Sequence, residues 1–203
     1  PHGVYKLFTN YSSMIYGETD NSEEKCILFF GYIKQYKGLE YLLRSNASIS
    51  KEIRDFKLII AGQGDLSPYL ELINDSRSRI EIHNEFISDS EVAVLFQKAT
   101  VVVLPYSQMT GQSGILNIAY AFGKPVVASD IWGFREILDN GETGFLVTPK
   151  DPEALASAII KILVNSQLRD NMKNNILKKS IELSWQNIAL KYIDLYQKAI
   201  IES

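Results

Sequence analysis

Short apolar stretches alternate with segments of helical periodicity along most of the chain. Four stretches are apolar throughout, and they comprise residues 27–30, 58–61, 101–104 and 126–128. Continuous apolar character without alternation predicts strands that are buried on both faces of a parallel sheet. Residues 79–83 alternate between apolar and polar instead, and residues 144–148 form a weaker run. We therefore predict that these last two segments are the outer strands.

Helices are predicted between these strands. One helix follows Gly38, and a second begins at the capping box formed by Ser88 and Glu91. A third runs from about Ser113 to Gly123, where glycine followed closely by proline is a typical helix end.

Three successive helices are predicted to close the chain. The first has Asp151 as its N-cap and Pro152 at its first position. The last begins near Ser184 and carries apolar residues on one side, namely Trp185, Ile188, Ala189, Tyr192 and Tyr196. The alternation of strands and helices before them predicts an α/β fold with a doubly wound parallel sheet, in one domain spanning residues 1–203.

Composition and charge narrow the possible functions. The chain has 46% hydrophobic residues, and 21 Lys and Arg against 24 Asp and Glu give a net charge of −3, which provides no electrostatic footprint for nucleic acid. The single cysteine, Cys26, excludes an internal disulfide framework. His2 and His83 belong to no Cys/His cluster, so we expect no metal site. No 18-residue apolar run or leader is present, which predicts a cytoplasmic protein.

The segment after residues 101–104 is the strongest candidate for chemistry. In an open parallel sheet, ligands bind beyond the carboxyl ends of the strands, where the strand order reverses. Gly111, Ser113 and Gly114 lie at the start of a predicted helix, and helix N-termini attract anions. Lys37, after the first strand, adds a positive charge, so the two segments predict a phosphate or pyrophosphate subsite. The alternative is that the glycines only form tight turns and that Lys37 is a solvated surface lysine.

Three further positions are weaker candidates. Lys34 is a candidate second phosphate contact. Glu136 follows another strand and is either an acceptor for ligand hydroxyls or a carboxylate that offsets the dipole at a helix N-terminus. The segment 62–64 has glycines at both ends but no third glycine of a dinucleotide fingerprint, so we interpret it as a turn. Neither a catalytic triad nor a Walker loop is present in the sequence.

Several segments, in the same order, resemble the C-terminal, donor-binding half of the retaining glycosyltransferases of family 4, which have the GT-B fold. Gly31 to Gly38 resembles the phosphate-binding segment of that family, and residues 121–129 resemble its most recognisable motif. Similar segments span nearly the whole chain, and the others are residues 1–4, 58–64, 86–95, 133–136 and 141–147.

The resemblance implies a nucleotide diphosphate sugar as donor, transfer with retention, and no cofactor or metal. The residues that it implies at the donor and its phosphates are Gly31, Lys34, Lys37, Gly38, Gly111, Gln112, Ser113 and Gly114. On the side of the sugar or ribose it implies Thr110 and Glu136, and on the side of the base Glu85, Phe86 and Ile87. An N-terminal domain, absent from this chain, would bind a saccharide or glycolipid acceptor and make any contact with the inner face of the membrane, so we expect the isolated chain to be inactive.

The chain departs from the family pattern at three positions. Tyr32 stands where the family commonly has arginine. Thr110 and Ile118 stand where the family has paired glutamates, so no catalytic residue is assigned. Gln112 and Ser113 are candidates for the missing contacts.

Two alternatives to a transferase are an epimerase and a regulatory domain. A sugar-nucleotide epimerase of the GT-B fold would need carboxylates and histidine around the same pocket, and His2 and His83 are poorly placed for that. A regulatory nucleotide-binding domain without catalysis is the second alternative. A phosphorylation receiver module would need acidic residues after its first strand, whereas here that segment is basic. We therefore favour a bacterial-type transferase for polysaccharide or glycolipid assembly.

Overall fold

The computed structural model describes residues 25–108, 111 and 113–201. These residues form one six-stranded, all-parallel sheet, with strands β1 (Lys25–Phe30), β2 (Phe56–Ala61), β3 (Ile80–His83), β4 (Val101–Leu104), β5 (Val126–Ser129) and β6 (Gly144–Val147). The strand order is β3-β2-β1-β4-β5-β6. The predicted doubly wound parallel sheet is confirmed, and the two predicted outer strands lie at its edges.

The helices within this part of the chain are α1 (Leu39–Glu52), α2 (Leu70–Asp75), α3 (Asp89–Lys98), α4 (Gly114–Ala121), α5 (Trp132–Arg135), α6 (Pro152–Val164), α7 (Ser166–Glu182) and α8 (Trp185–Ile201). The capping box of Ser88 and Glu91 is present at α3, and Asp151 caps α6. The sequence did not predict α2. Only Ile73 is buried among its six residues, so the segment has no apolar periodicity.

Helices cover both faces of the sheet. Alternate strand residues, such as Ile27 and Phe29, face a layer that contains α1 and α6. Their neighbours, such as Leu28, face a layer that contains α3 and α4. In the last helix, α8, Ile188 is buried, but most other apolar side chains, among them Trp185, are exposed. Among the described helices, none combines the length and the hydrophobicity that crossing a membrane would require.

Successive strands are added in one direction up to β3 and in the opposite direction from β4 onwards, so the strand order reverses between β1 and β4. The chain proceeds from β1 towards β3 on one side and from β4 towards β6 on the other, which opens a crevice at the carboxyl ends of β1 and β4. The loops after these strands are in contact, because the Ser107 N–H donates to the Tyr36 carbonyl at 2.7 Å. Gly38 has a φ of 71°, and a Cβ there would lie 1.9 Å from the Pro105 carbonyl oxygen. Only glycine allows this approach.

The segment 62–64 continues the pairing of β1 with β2, and the interpretation as a turn is corrected. The Ile33 N–H donates to the Gln63 carbonyl at 2.9 Å, and Ile33 forms a parallel bridge with Gly64. A Cβ on Gly62 would lie 2.3 Å from the Gly31 carbonyl oxygen. Close backbone approach, which sets the loop after β1 in place, therefore requires glycine here.

Candidate functional site

A cleft of about 290 Å³ lies at the carboxyl ends of β1, β2 and β3, beside the first turn of α4. It brings together five of the predicted site residues, which lie far apart in the sequence: Gly31, Lys37, Glu85, Phe86 and Ile87. The remaining lining comes from Phe30, Tyr32, Gly62, Gln63 and Ile115. The predicted phosphate side and the predicted base side are therefore two walls of one cleft.

Lys37 is buried, with only 8% of its surface exposed, so the reading as a solvated surface lysine is wrong. Its Nζ lies 5.4 Å from the centre of the Tyr106 ring. A Cβ built on Gly31 would lie 2.7 Å from this Nζ and 2.8 Å from Cδ1 of Ile115, the second residue of α4. The ammonium thus occupies the space between the end of β1 and the first turn of α4.

The Lys37 ammonium has no ion-pair partner among the residues that the structure describes. Burial, and to a smaller extent the positive charge of Lys34, lower the pKa of Lys37 to about 8. The side chain is therefore mainly protonated at neutral pH, although its surroundings disfavour the charge. A bound anion would supply the missing counter-charge.

The N-terminus of α4 faces the same place. Ser113 is the N-cap, but its side chain makes no capping hydrogen bond, and the first turn contains no acidic residue. None of the described residues accepts a hydrogen bond from the N–H of Gly114 or Ile115. These N–H groups and the positive end of the helix dipole are available to an anion beside Lys37.

Tyr106 is a residue of this site that the sequence analysis missed. It is 4% exposed and hydrogen-bonded to the Ser113 side chain. Burial raises the pKa of Tyr106 well above its usual range, and the hydrogen bond with Ser113 opposes this rise. The sequence signal that could have identified Tyr106 was its position just after β4, in the segment singled out for its glycines.

The other residues predicted to contact phosphate differ in their surroundings. Lys34 is exposed, and it lies close enough to Lys37 for its positive charge to lower the pKa of Lys37. Gly38 serves the packing against Pro105. At Gly111 a Cβ would contact nothing within 4 Å, so the packing of the described residues does not require glycine there. Gln112 lies outside the described residues.

Among the described residues, none of those predicted on the sugar or ribose side lines the cleft. Thr110 lies outside the described residues, and Ile118 packs against the apolar layer beneath α4. Glu136 is exposed and is the C-cap of the short helix α5. The alternative that it offsets the dipole at a helix N-terminus is therefore wrong, because it follows the helix.

The opposite wall of the cleft is largely aromatic. Phe86 is 77% exposed and Tyr32 is 61% exposed, whereas Ile87 is almost buried at 9%. The Glu85 carboxylate lines the same wall and is exposed. The cleft thus joins flat apolar surface at one end to a buried cation at the other.

A larger groove of about 820 Å³ lies on the other side of the loop after β1. Its lining includes Tyr36, Tyr41, Ser107, Gln108 and Lys150. Ser107 and Gln108 belong to the segment that leads to the N-terminus of α4.

The part of the chain that the structure describes contains no candidate metal centre. No group of three or more His, Cys, Asp or Glu side chains there is arranged to hold a metal ion. His83 lies at the end of β3, where its Nε2 is 2.7 Å from Oε1 of Glu81.

Residues 24–165 match the family described as glycosyl transferases group 1. The chain belongs to this glycosyltransferase family. It is 34% identical over 185 residues to an uncharacterized glycosyltransferase of Methanocaldococcus jannaschii, a match that covers 88% of the chain and 46% of the relative. It is 31% identical over 179 residues to the phosphatidyl-myo-inositol mannosyltransferase of Mycobacterium leprae, a match that covers 85% of the chain and 46% of that relative. This group 1 chain thus spans about half the length of the curated relatives it matches.

Solved structures confirm the fold of the group 1 chain. The protein HepE from Anabaena, determined in complex with UDP and glucose, superimposes with a TM-score of 0.78 at 18% identity, covering 97% of this chain and 55% of HepE. Sucrose-phosphate synthase from Thermosynechococcus elongatus superimposes with a TM-score of 0.76 at 24% identity, covering 100% of this chain and 52% of the synthase. The expected Rossmann-like half of a GT-B glycosyltransferase is therefore confirmed.

Proposed function

We propose that this glycosyltransferase domain binds the nucleotide diphosphate sugar donor in the 290 Å³ cleft. The observation that carries the proposal is the buried Lys37 ammonium, which lacks a counter-ion among the described residues and lies beside the N-terminus of α4. A buried charge without a partner is costly, so the site is built for an anion that the protein itself does not supply. The diphosphate lies between Lys37 and α4, with Lys34 at the rim.

The nucleoside extends from there along the aromatic wall. A nucleobase is flat and largely apolar, and it buries well against exposed aromatic side chains such as Phe86 and Tyr32. Glu85 can accept hydrogen bonds from the base or the ribose. HepE, which shares the fold, was determined with UDP and glucose, and this agrees with a nucleotide in such a cleft.

The same groups would assist the transfer step. When the bond between the anomeric carbon and the diphosphate breaks, negative charge develops on the departing diphosphate. The Lys37 ammonium and the N–H groups of α4 are already oriented towards that charge, so no solvent has to reorganise. Stabilisation of this kind needs no metal ion, and we propose transfer with retention of the anomeric configuration.

We propose that the acceptor is a saccharide or glycolipid bound by a second domain. The curated relatives are about twice as long as this chain, which leaves room for such a domain. The complete enzyme would act in the cytoplasm, at the inner face of a membrane when the acceptor is a lipid. No histidine is among the described residues that line the cleft, so the epimerase alternative gains no support there.

Calorimetric titration of the chain with UDP, GDP and ADP tests the donor site. We expect at least one of them to bind, and Lys37→Gln to weaken that binding about ten- to hundredfold, because a hydrogen bond to a charged group is lost. Lys161→Gln is the matched control, since Lys161 also lies over an aromatic ring, with its Nζ 4.7 Å from the Phe145 ring centre, but on α6. Binding of none of the three nucleotides, or equal binding by Lys37→Gln, would contradict the proposal.

A further inference from the structure

Tyr106 is packed tightly beside Lys37 and the N-cap of α4, the two parts of the candidate anion site. Its ring packs edge-on against Tyr36, with 5.9 Å between ring centres, and against Phe134, with 5.2 Å. These rings come from the loop after β1 and from α5, so the position of Tyr106 is fixed from two sides. With 4% of its surface exposed, the ring has little freedom to move.

One face of this ring lies near the Lys37 ammonium. The distance of 5.4 Å from Nζ to the ring centre is within the range of a cation–π interaction. No described carboxylate pairs with this ammonium, and a ring face at this distance can stabilise its charge in the free protein.

The hydroxyl group of the same residue engages the N-cap of α4. A serine at an N-cap ordinarily accepts a hydrogen bond from an N–H of the first helical turn. Ser113 makes no such bond and is hydrogen-bonded to Tyr106 instead. The Ser113 side chain is thus bonded to Tyr106 and satisfies no N–H of the first turn.

We infer that Tyr106 is a positioning residue that prepares both halves of the anion site. Its ring holds the Lys37 ammonium in place, and its hydroxyl prevents Ser113 from capping α4, so that the N–H groups stay free for the diphosphate. The inference rests on the proposed function, since the positioned groups act on the diphosphate of the donor.

Two substitutions separate the two actions. Tyr106→Phe keeps the ring but releases Ser113, which can then cap the helix and compete with the anion. We expect affinity for the diphosphate to fall about three- to tenfold, the effect of one hydrogen bond. Tyr106→Leu removes the ring, so the Lys37 pKa falls further and the loss of affinity with rising pH begins at lower pH than in the wild type.

A double-mutant cycle distinguishes positioning from general structural support. In Ser113→Ala no hydroxyl is available to cap α4. Tyr106→Phe should therefore cause no further loss of affinity in the Ser113→Ala background. If Tyr106 only supported the fold, its substitution would cost the same affinity in both backgrounds.

The experiment is calorimetric titration of the 203-residue chain and these variants with UDP, GDP and ADP, at several pH values between 7 and 9. Tyr120→Phe is the matched control, because it removes another buried hydroxyl, bonded to Thr143 Oγ1 at 2.6 Å, and should not alter binding. The expected results are a loss for Tyr106→Phe only when Ser113 is present, and a shifted pH profile only for Tyr106→Leu. Nucleotide binding by the wild type with equal affinity in Tyr106→Phe would overturn the inference alone, whereas no binding by the wild type would overturn the proposed function with it.

Discussion

At the scale of the residue, Lys37 is a charged group that the fold keeps buried. Most lysines remain in water, yet Lys37 lies between β1 and α4 with its charge uncompensated by any described carboxylate. The folded protein therefore binds the Lys37 proton more weakly than the unfolded chain does. Because of this difference, stability and ligand affinity should both depend on pH, in opposite directions.

The pH dependence can be predicted with its sign. The Lys37 pKa is about 8 in the folded chain and 10.5 ordinarily, so between these values the unfolded state binds more protons. The contribution of Lys37 to the free energy of unfolding should therefore rise with pH across this window, whereas nucleotide affinity should fall as the ammonium deprotonates. Urea unfolding and calorimetric titration at pH 7, 8, 9 and 10 measure the two trends. Lys37→Gln should remove both, and an affinity that is constant up to pH 10 would contradict the assignment.

At the scale of the element, the loops after β1 and β4 form one unit because glycine lets their backbones meet. Gly38 ends the short 3-10 turn of residues 35–37 and is also the N-cap of α1, with left-handed backbone geometry. The same turn carries Lys37. The position of the ammonium thus depends on a contact between two backbones, at Gly38 and Pro105.

Gly38→Ala tests this dependence. The added Cβ would lie 1.9 Å from the Pro105 carbonyl oxygen, and a φ of 71° disfavours alanine as well. We expect the free energy of unfolding to fall by about 2–4 kcal/mol, the range for strain at a special backbone position. Gly111→Ala is the control, since a Cβ there meets nothing within 4 Å, and it should change the free energy by less than about 0.5 kcal/mol. Urea unfolding with equal results for the two variants would show that the loops can separate without cost.

At the scale of the whole molecule, the proposed function assigns a donor site to the described residues and assigns them no acceptor site. The chain spans about half the length of its curated relatives. In the proposed function the two substrates meet only when a second domain is present. Binding and transfer should therefore be separable.

We expect this chain to bind a nucleoside diphosphate and to transfer no sugar from the corresponding donor. Binding should persist in excess EDTA, because the Lys37 ammonium and the α4 N-terminus carry the charge of the diphosphate. Titration with and without EDTA, and chromatography of saccharide acceptors incubated with UDP-, GDP- or ADP-sugars, measure these outcomes. Glycosyl transfer by the chain alone, or binding that requires magnesium or manganese, would refute this division of labour.

Much of the architecture was predictable from the sequence by itself, because it depends on local patterns. Continuous apolar runs identified buried strands, the weaker patterns at 79–83 and 144–148 identified the edges, and the capping residues Ser88 and Asp151 marked helix starts. The sequence also singled out Lys37 and Phe86, and the structure brings them into one cleft that was not visible in the sequence.

Only the tertiary structure decided the state of the site. The burial of Lys37, the position of its ammonium over the Tyr106 ring, and the hydrogen bond between Tyr106 and Ser113 all arise where separate segments of the chain meet. The alternative that Glu136 offsets the dipole at a helix N-terminus was wrong for the same reason, since its relation to α5 depends on how the chain turns after β5. Periodicity and spacing encode which face of an element is buried. They do not encode which distant segments bury a charge, and that burial sets its pKa and its availability to a ligand.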